Sequence, residues 1–103
     1  MSINISPRVR KKLAERHGVS ENEVRQCFTN LDGRYLRDTR EEHQTDPPTY
    51  WFIAETNRCR KLKVCFMAVK VETADGTKTR IDIKTAFAPD LGDLECWERY
   101  GAY

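Results

Sequence analysis

The hydrophobic pattern of this chain changes from a helical to an alternating period at Asp32-Gly33, and that switch fixes what the chain can fold into. Before it, Val24, Cys27, Phe28 and Leu31 recur at i, i+3, i+4 and i+7, the single apolar stripe of a helix with one face in a core. After it, from Arg34, the period is two: Tyr35, Arg37 and Thr39 alternate with Leu36 and Asp38, as in a half-exposed edge strand. At 103 residues the chain is one domain, 1–103, with room for one modest core. Helices written first and strands written after must therefore share that core, which is an α+β arrangement.

Two boundaries subdivide the helical half. Ser6-Pro7 reads as an N-cap followed by the residue best suited to the first helical position, and Val9, Leu13 and Ala14 continue the helix to His17-Gly18. Gly18 supplies a left-handed stop. A second helix starts at once, with Ser20 and Glu23 spaced as a capping box and Val19 and Val24 as a hydrophobic staple.

The second half reads as four strands. Tyr50 to Thr56 is aromatic and β-branched, and Asn57-Arg58 turns the chain into a strand from about Arg60 to Glu72, with Leu62, Val64 and Phe66 on one face and Lys63, Cys65 and Met67 on the other. Ala74-Asp75-Gly76-Thr77 is a hairpin signal leading to Thr79 to Phe87, where Ile81, Ile83 and Phe87 are expected inward and Asp82 and Lys84 outward. Pro89 ends it. Leu91, Leu94 and Trp97 then predict a short closing helix, with Trp97 and Tyr100 completing the core. The expected fold is two N-terminal helices packed on a four-stranded antiparallel meander, a short C-terminal helix, and one sheet face left open.

Charge is informative by region only, because Lys and Arg number 18 against 16 Asp and Glu. The first thirty residues are basic, Arg58, Arg60, Lys61 and Lys63 form a dense group, and Asp90, Asp93, Glu95 and Glu98 make the end acidic. One basic face suits an anionic partner. Cys27, Cys59, Cys65 and Cys96 form no C-x-x-C pair, no secretion signal opens the chain, and no apolar run is long enough for a bilayer. The expectation is a cytoplasmic protein with reduced thiols and no membrane contact.

The stretch from Asp38 to Thr56, DTREEHQTDPPTYWFIAET, is the one that folding alone does not explain. It gathers Arg40, Glu41, Glu42, His43 and Asp46, stiffens at Pro47-Pro48, and re-enters structure at Tyr50-Trp51. A polar loop fixed on a rigid scaffold is where function usually sits. Metal-free RNA cleavage needs a base for the 2′-hydroxyl, an acid for the leaving oxygen and cations on the phosphate. His43 has the titration range for proton transfer, Glu41 or Asp46 can orient it, and Arg40, Arg60 and Lys84 can hold phosphate. Arg58, Arg60, Lys61 and Lys63 are candidates for the RNA backbone, with Tyr50 and Trp51 for stacking bases. The plainer readings are a solvated histidine, a solvated hairpin end and a proline stop to an edge strand. A metal site from Asp38, His43 and Asp46 would lack a second His or a paired Cys, so neither metal nor cofactor is expected.

Several of these stretches, in the same order, resemble the BrnT-type toxins of the wider RelE and ParE ribonuclease-like group. KKLAERHGVSENEV resembles that family's KHGV followed by an acidic-capped helix, and Asp38, Arg40, Glu41 and His43 resemble its loop. Arg60 to Val64 and Arg80 to Ala86 resemble two of its strands. The resemblance implies a RelE/BrnT-like fold, a ribonuclease toxin with His43, Arg40, Glu41 and Lys84 as its catalytic group, and a ribbon-helix-helix antitoxin as partner. It departs where Asp82 and Phe87 stand in place of two arginines, with Lys84 one residue from where a base is wanted. The alternative is a non-catalytic module of the same fold that binds protein or nucleic acid. The loop also resembles small bacterial proteins labelled ADP-ribosyl-dinitrogen reductase hydrolase. Enzymes of that name are large and helical with paired metal ions, a site that Asp46 and one Glu pair do not rebuild.

Overall fold

Each helix begins where a side chain answers the free N–H groups of its first turn. The computed structural model describes residues 2–38 and 47–100. In it Ser6 Oγ accepts from the Val9 N–H at 3.2 Å and starts α1 (Pro7–Lys12), with proline in the first turn. A wider π-helical turn, Leu13–His17, continues α1 and ends at Gly18, whose φ of 59° is the left-handed stop expected there. The capping box at α2 (Glu21–Asn30) is complete: Ser20 Oγ accepts from Glu23 N–H at 3.2 Å, and Glu23 Oε1 accepts from Ser20 N–H at 3.1 Å. Ser20→Ala is expected to cost about 1 kcal/mol, seen as a lower thermal midpoint with the fold retained.

The sheet contains the expected meander and one strand more. β2 (Leu36–Arg37), β3 (Thr49–Glu55), β4 (Lys61–Thr73) and β5 (Gly76–Phe87) are successive antiparallel neighbours. β1 (Ser2–Asn4) lies on the far edge, parallel to β5, with Ser2 opposite Arg80 and Asn4 opposite Asp82. The four-stranded antiparallel sheet is thus corrected to a five-stranded mixed one, in the order β1-β5-β4-β3-β2. Three residues before a helix cap carry too little periodicity to be read as a strand. They matter in packing, because they lead Ile5 into the core. The strand expected from Arg34 to Thr39 narrows to Leu36–Arg37 among the described residues.

Both sheet faces are covered, which corrects the open face expected. On one, Phe28 of α2 meets Phe52 and Phe66 edge-on, with ring centroids 4.8 and 5.6 Å apart, above the buried Leu62 and Val64. On the other, α3 (Leu91–Tyr100) sets Trp97 on Trp51 at 6.0 Å. Asp90 and Asp93 start α3 by a reciprocal pair: Asp90 Oδ1 accepts from Asp93 N–H at 2.7 Å, and Asp93 Oδ2 from Asp90 N–H at 3.1 Å. Tyr100, expected in the core, is 56% exposed, because one further helical step carries it past the sheet.

A register shift corrects the last strand. Ile83 stands opposite Phe66, but Thr85 stands opposite Cys65, so Lys84 is an extra residue bulged out of β5. Beyond it every side chain changes sides. Phe87 therefore faces the α3 side, 5.8 Å from the Lys63 ammonium and 5.6 Å from the His17 ring, and Ala86 takes the inward place.

Candidate nucleic-acid interface

Four basic residues share one side of the first helix. Arg8, Lys11, Lys12 and Arg16 follow helical spacing and, with Lys84 opposite, line a cleft of about 580 Å³ against β4 and β5. Its carboxylates are Glu15 and Asp82. Asp82 is already matched, accepting from Arg80 Nε at 2.8 Å and Nη2 at 3.0 Å and from Asn4 Nδ2 at 3.2 Å. The Arg80 guanidinium outweighs partial burial and holds the Asp82 carboxyl below its usual range. Five cations thus face a cleft with one acid that no Arg80 pairing offsets.

Lys84 links this cleft to the residues that flank the polar segment 39–46 in sequence. Its ammonium donates to Thr49 Oγ1 at 3.3 Å, and the Thr49 carbonyl accepts from the Asp38 N–H at 2.8 Å. Asp38 is the last described residue before the segment 39–46 and Pro47 the first after it. The bulge aims Lys84 here: Thr49 pairs with Met67, whose side chain also lines the cleft. His43, Arg40 and Glu41, together with Glu42 and Asp46, lie outside the described residues.

The basic hairpin is divided between two roles. Arg60 Nη1 donates to the Gly18 carbonyl at 2.8 Å and to Glu23 Oε2 at 3.0 Å, and Nη2 to the His17 carbonyl at 3.1 Å. It clamps the junction of the two N-terminal helices onto the start of β4. Burial would raise the Glu23 pKa, but the Ser20 N–H and the Arg60 guanidinium outweigh it and hold the carboxyl low. Lys63 is buried, with Asp93 Oδ1 at 2.7 Å and the Trp51 ring at 4.5 Å. Arg58 and Lys61 are exposed. Tyr50 is half-buried with Tyr35 at 5.1 Å, and Trp51, at 8% exposure, sits beneath Trp97 and Lys63 with little ring surface for a base.

The structure therefore brings Lys84 together with Arg8, Lys11, Lys12 and Arg16, and keeps Arg60 and Lys63 apart in separate ion pairs. The α1 residues were missed as site residues, although their signal was present: a basic residue at i, i+3, i+4 and i+8 is the charged counterpart of the apolar stripe in α2. Among the described residues no three His, Cys, Asp or Glu side chains form a metal-holding group. Cys27 is an inert thiol, its pKa pushed up to about 11 by burial, with Sγ 3.7 Å from the Ala54 carbonyl. No helix among the described residues is long and apolar enough to cross a membrane. Compared with known proteins, the chain matches no family model and no curated relative.

Proposed function

We propose that this chain is a RelE/BrnT-like ribonuclease toxin of the bacterial cytoplasm, which seats RNA along the α1 cleft and cuts it without metal at the loop between Asp38 and Pro47. The observation that supports it is the contact of Lys84 with Thr49, because it joins a five-cation cleft to the root of the loop that carries His43. In this reading Arg8, Lys11, Lys12 and Arg16 take backbone phosphates. Arg40 and Lys84 hold the scissile phosphate, and His43, oriented by Glu41, moves the proton of the 2′-hydroxyl. A ribbon-helix-helix antitoxin is the proposed protein partner. A non-catalytic RNA-binding module of the same fold is the second reading. It is favoured by the engagement of Arg60 and Lys63 with Glu23 and Asp93, which withdraws two cations from phosphate chemistry.

RNA binding tests both. Single-stranded RNA should bind with an affinity that falls as salt rises, and Lys11→Ala with Lys12→Ala and Arg16→Ala should lower the slope of log affinity against log salt by about two to three. Fluorescence anisotropy from low to moderate salt measures it. Salt-independent binding, or an unchanged slope in the triple variant, removes the phosphate role of the cleft.

A further inference from the structure

β3 is longer than the strand at its side. β2 pairs only with Tyr50 and Trp51, so the outer side of β3 from Phe52 onward has no strand beside it among the described residues. The direction of each backbone group follows from the ladder. Thr49 turns its carbonyl outward to the Asp38 N–H, and successive residues of a strand alternate, so Ile53 and Glu55 turn their groups outward too. Two side chains of α2 close the far end of this edge: Asn30 Nδ2 donates to the Glu55 carbonyl at 3.0 Å, and Gln26 Oε1 accepts from the Asn57 N–H at 3.0 Å. Between Trp51 and those caps, the N–H and carbonyl of Ile53 and the N–H of Glu55 have no hydrogen-bond partner among the described residues. Backbone groups left so at a sheet edge are a template for another strand.

The groove that holds this edge has a volume of about 620 Å³ and lies between α3 and the end of α2. Leu94 and Trp97 of α3, with Ile53, form its apolar wall, and Asp32, Glu55 and Glu98 bring three carboxylates to it against one cation, Lys61. All three acids are exposed, and none is in an ion pair among the described residues. That surplus of negative charge selects the occupant. RNA is repelled, and a second copy adding the same edge would bring two acidic grooves together. A protein segment carrying lysine or arginine is attracted by the same charge, and its backbone supplies the acceptors and the donor that Ile53 and Glu55 lack.

We infer that the outer edge of β3 takes a short extended segment of a basic protein partner as an added strand, with apolar side chains against Leu94 and Trp97 and basic ones near the acids. The inference is independent of the RNA reading, since this groove uses none of the cations of the α1 cleft. Amide hydrogen exchange of the full chain tests it, with a capped hexapeptide of alternating lysine and valine as the probe. In the free chain the amides of Ile53 and Glu55 should exchange faster than those of Phe52 and Ala54, which point at β4. Peptide at about ten times its dissociation constant should slow both about tenfold. A glutamate-for-lysine version should leave them unchanged, and so should the basic peptide methylated on its backbone nitrogens, which keeps the charge and loses the donors. Asp32→Lys with Glu98→Lys should exchange the preference to the acidic peptide. No slowing by the basic peptide, equal slowing by the methylated or acidic one, or an unchanged preference in the double variant overturns the proposal. Protection of Ile53 and Glu55 in the chain alone also overturns it, and a rise of that protection with protein concentration would name a second copy as the occupant.

Discussion

Asp93→Ala is expected to destabilise the fold by about 3 kcal/mol, because it strands the Lys63 ammonium in the interior. Only 9% of the Lys63 side chain is exposed, and the carboxylate 2.7 Å away is the counter-charge that makes this burial tolerable. The same substitution removes half of the reciprocal cap of α3, so the helix that covers Trp51 loosens as well. Lys63→Met added to Asp93→Ala should recover part of the loss, since an apolar chain of similar length fills the site without a charge to solvate. Urea midpoints of the three proteins separate the two contributions. The pH dependence has a definite sign. Burial would raise the Asp93 pKa, but the hydrogen bond from Lys63 and that from the Asp90 N–H outweigh it, and the folded-state pKa is lowered. Its contribution is complete above the unfolded value of about 3.9 and is lost as pH falls through the lower folded value. Native protein should weaken as pH falls below about 4 more steeply than the Asp93→Ala variant.

His43→Ala should lower cleavage of single-stranded RNA by about 10²- to 10⁴-fold while RNA affinity and thermal midpoint stay unchanged, since the imidazole acts in proton transfer and little in binding. Growth arrest on expression should disappear with it. Arg40→Ala should instead weaken both affinity and turnover, because a guanidinium on phosphate is felt in the ground and transition states alike. Native protein that binds RNA tightly, leaves it uncut and is harmless when expressed would favour the binding module over the nuclease.

What the sequence disclosed follows the strength of each local signal. The junction at Gly18 to Glu23 was legible because a left-handed glycine, a capping box and a staple mark the same few residues, and the alternation of Leu62 to Met67 was legible because β4 pairs on both sides. β1 was not, since its partner is Arg80 to Asp82, more than seventy residues away, and nothing in Ser2 to Asn4 encodes that pairing. The site divides in the same way. The charges of Arg60 and Lys63 were visible, but not the Glu23 and Asp93 that engage them, because pairing is decided by tertiary contact. The cleft on α1 was written in its spacing, and only the opposing Lys84 made it a cleft.

The bulge at Lys84 also bears on descent. A strand that absorbs one extra residue can gain or lose it in a single codon event without breaking the sheet, because the neighbouring pairs re-form on either side. Such an event leaves Ile83 opposite Phe66, Ala86 opposite Val64 and Phe87 opposite Lys63, so the flanking residues keep their faces while the extra position comes or goes. Two chains that differ by this insertion would align with their last-strand cations one position apart while presenting charge to the same cleft. Ancestry in such a lineage is better traced by which face a cation occupies than by the column in which it is written.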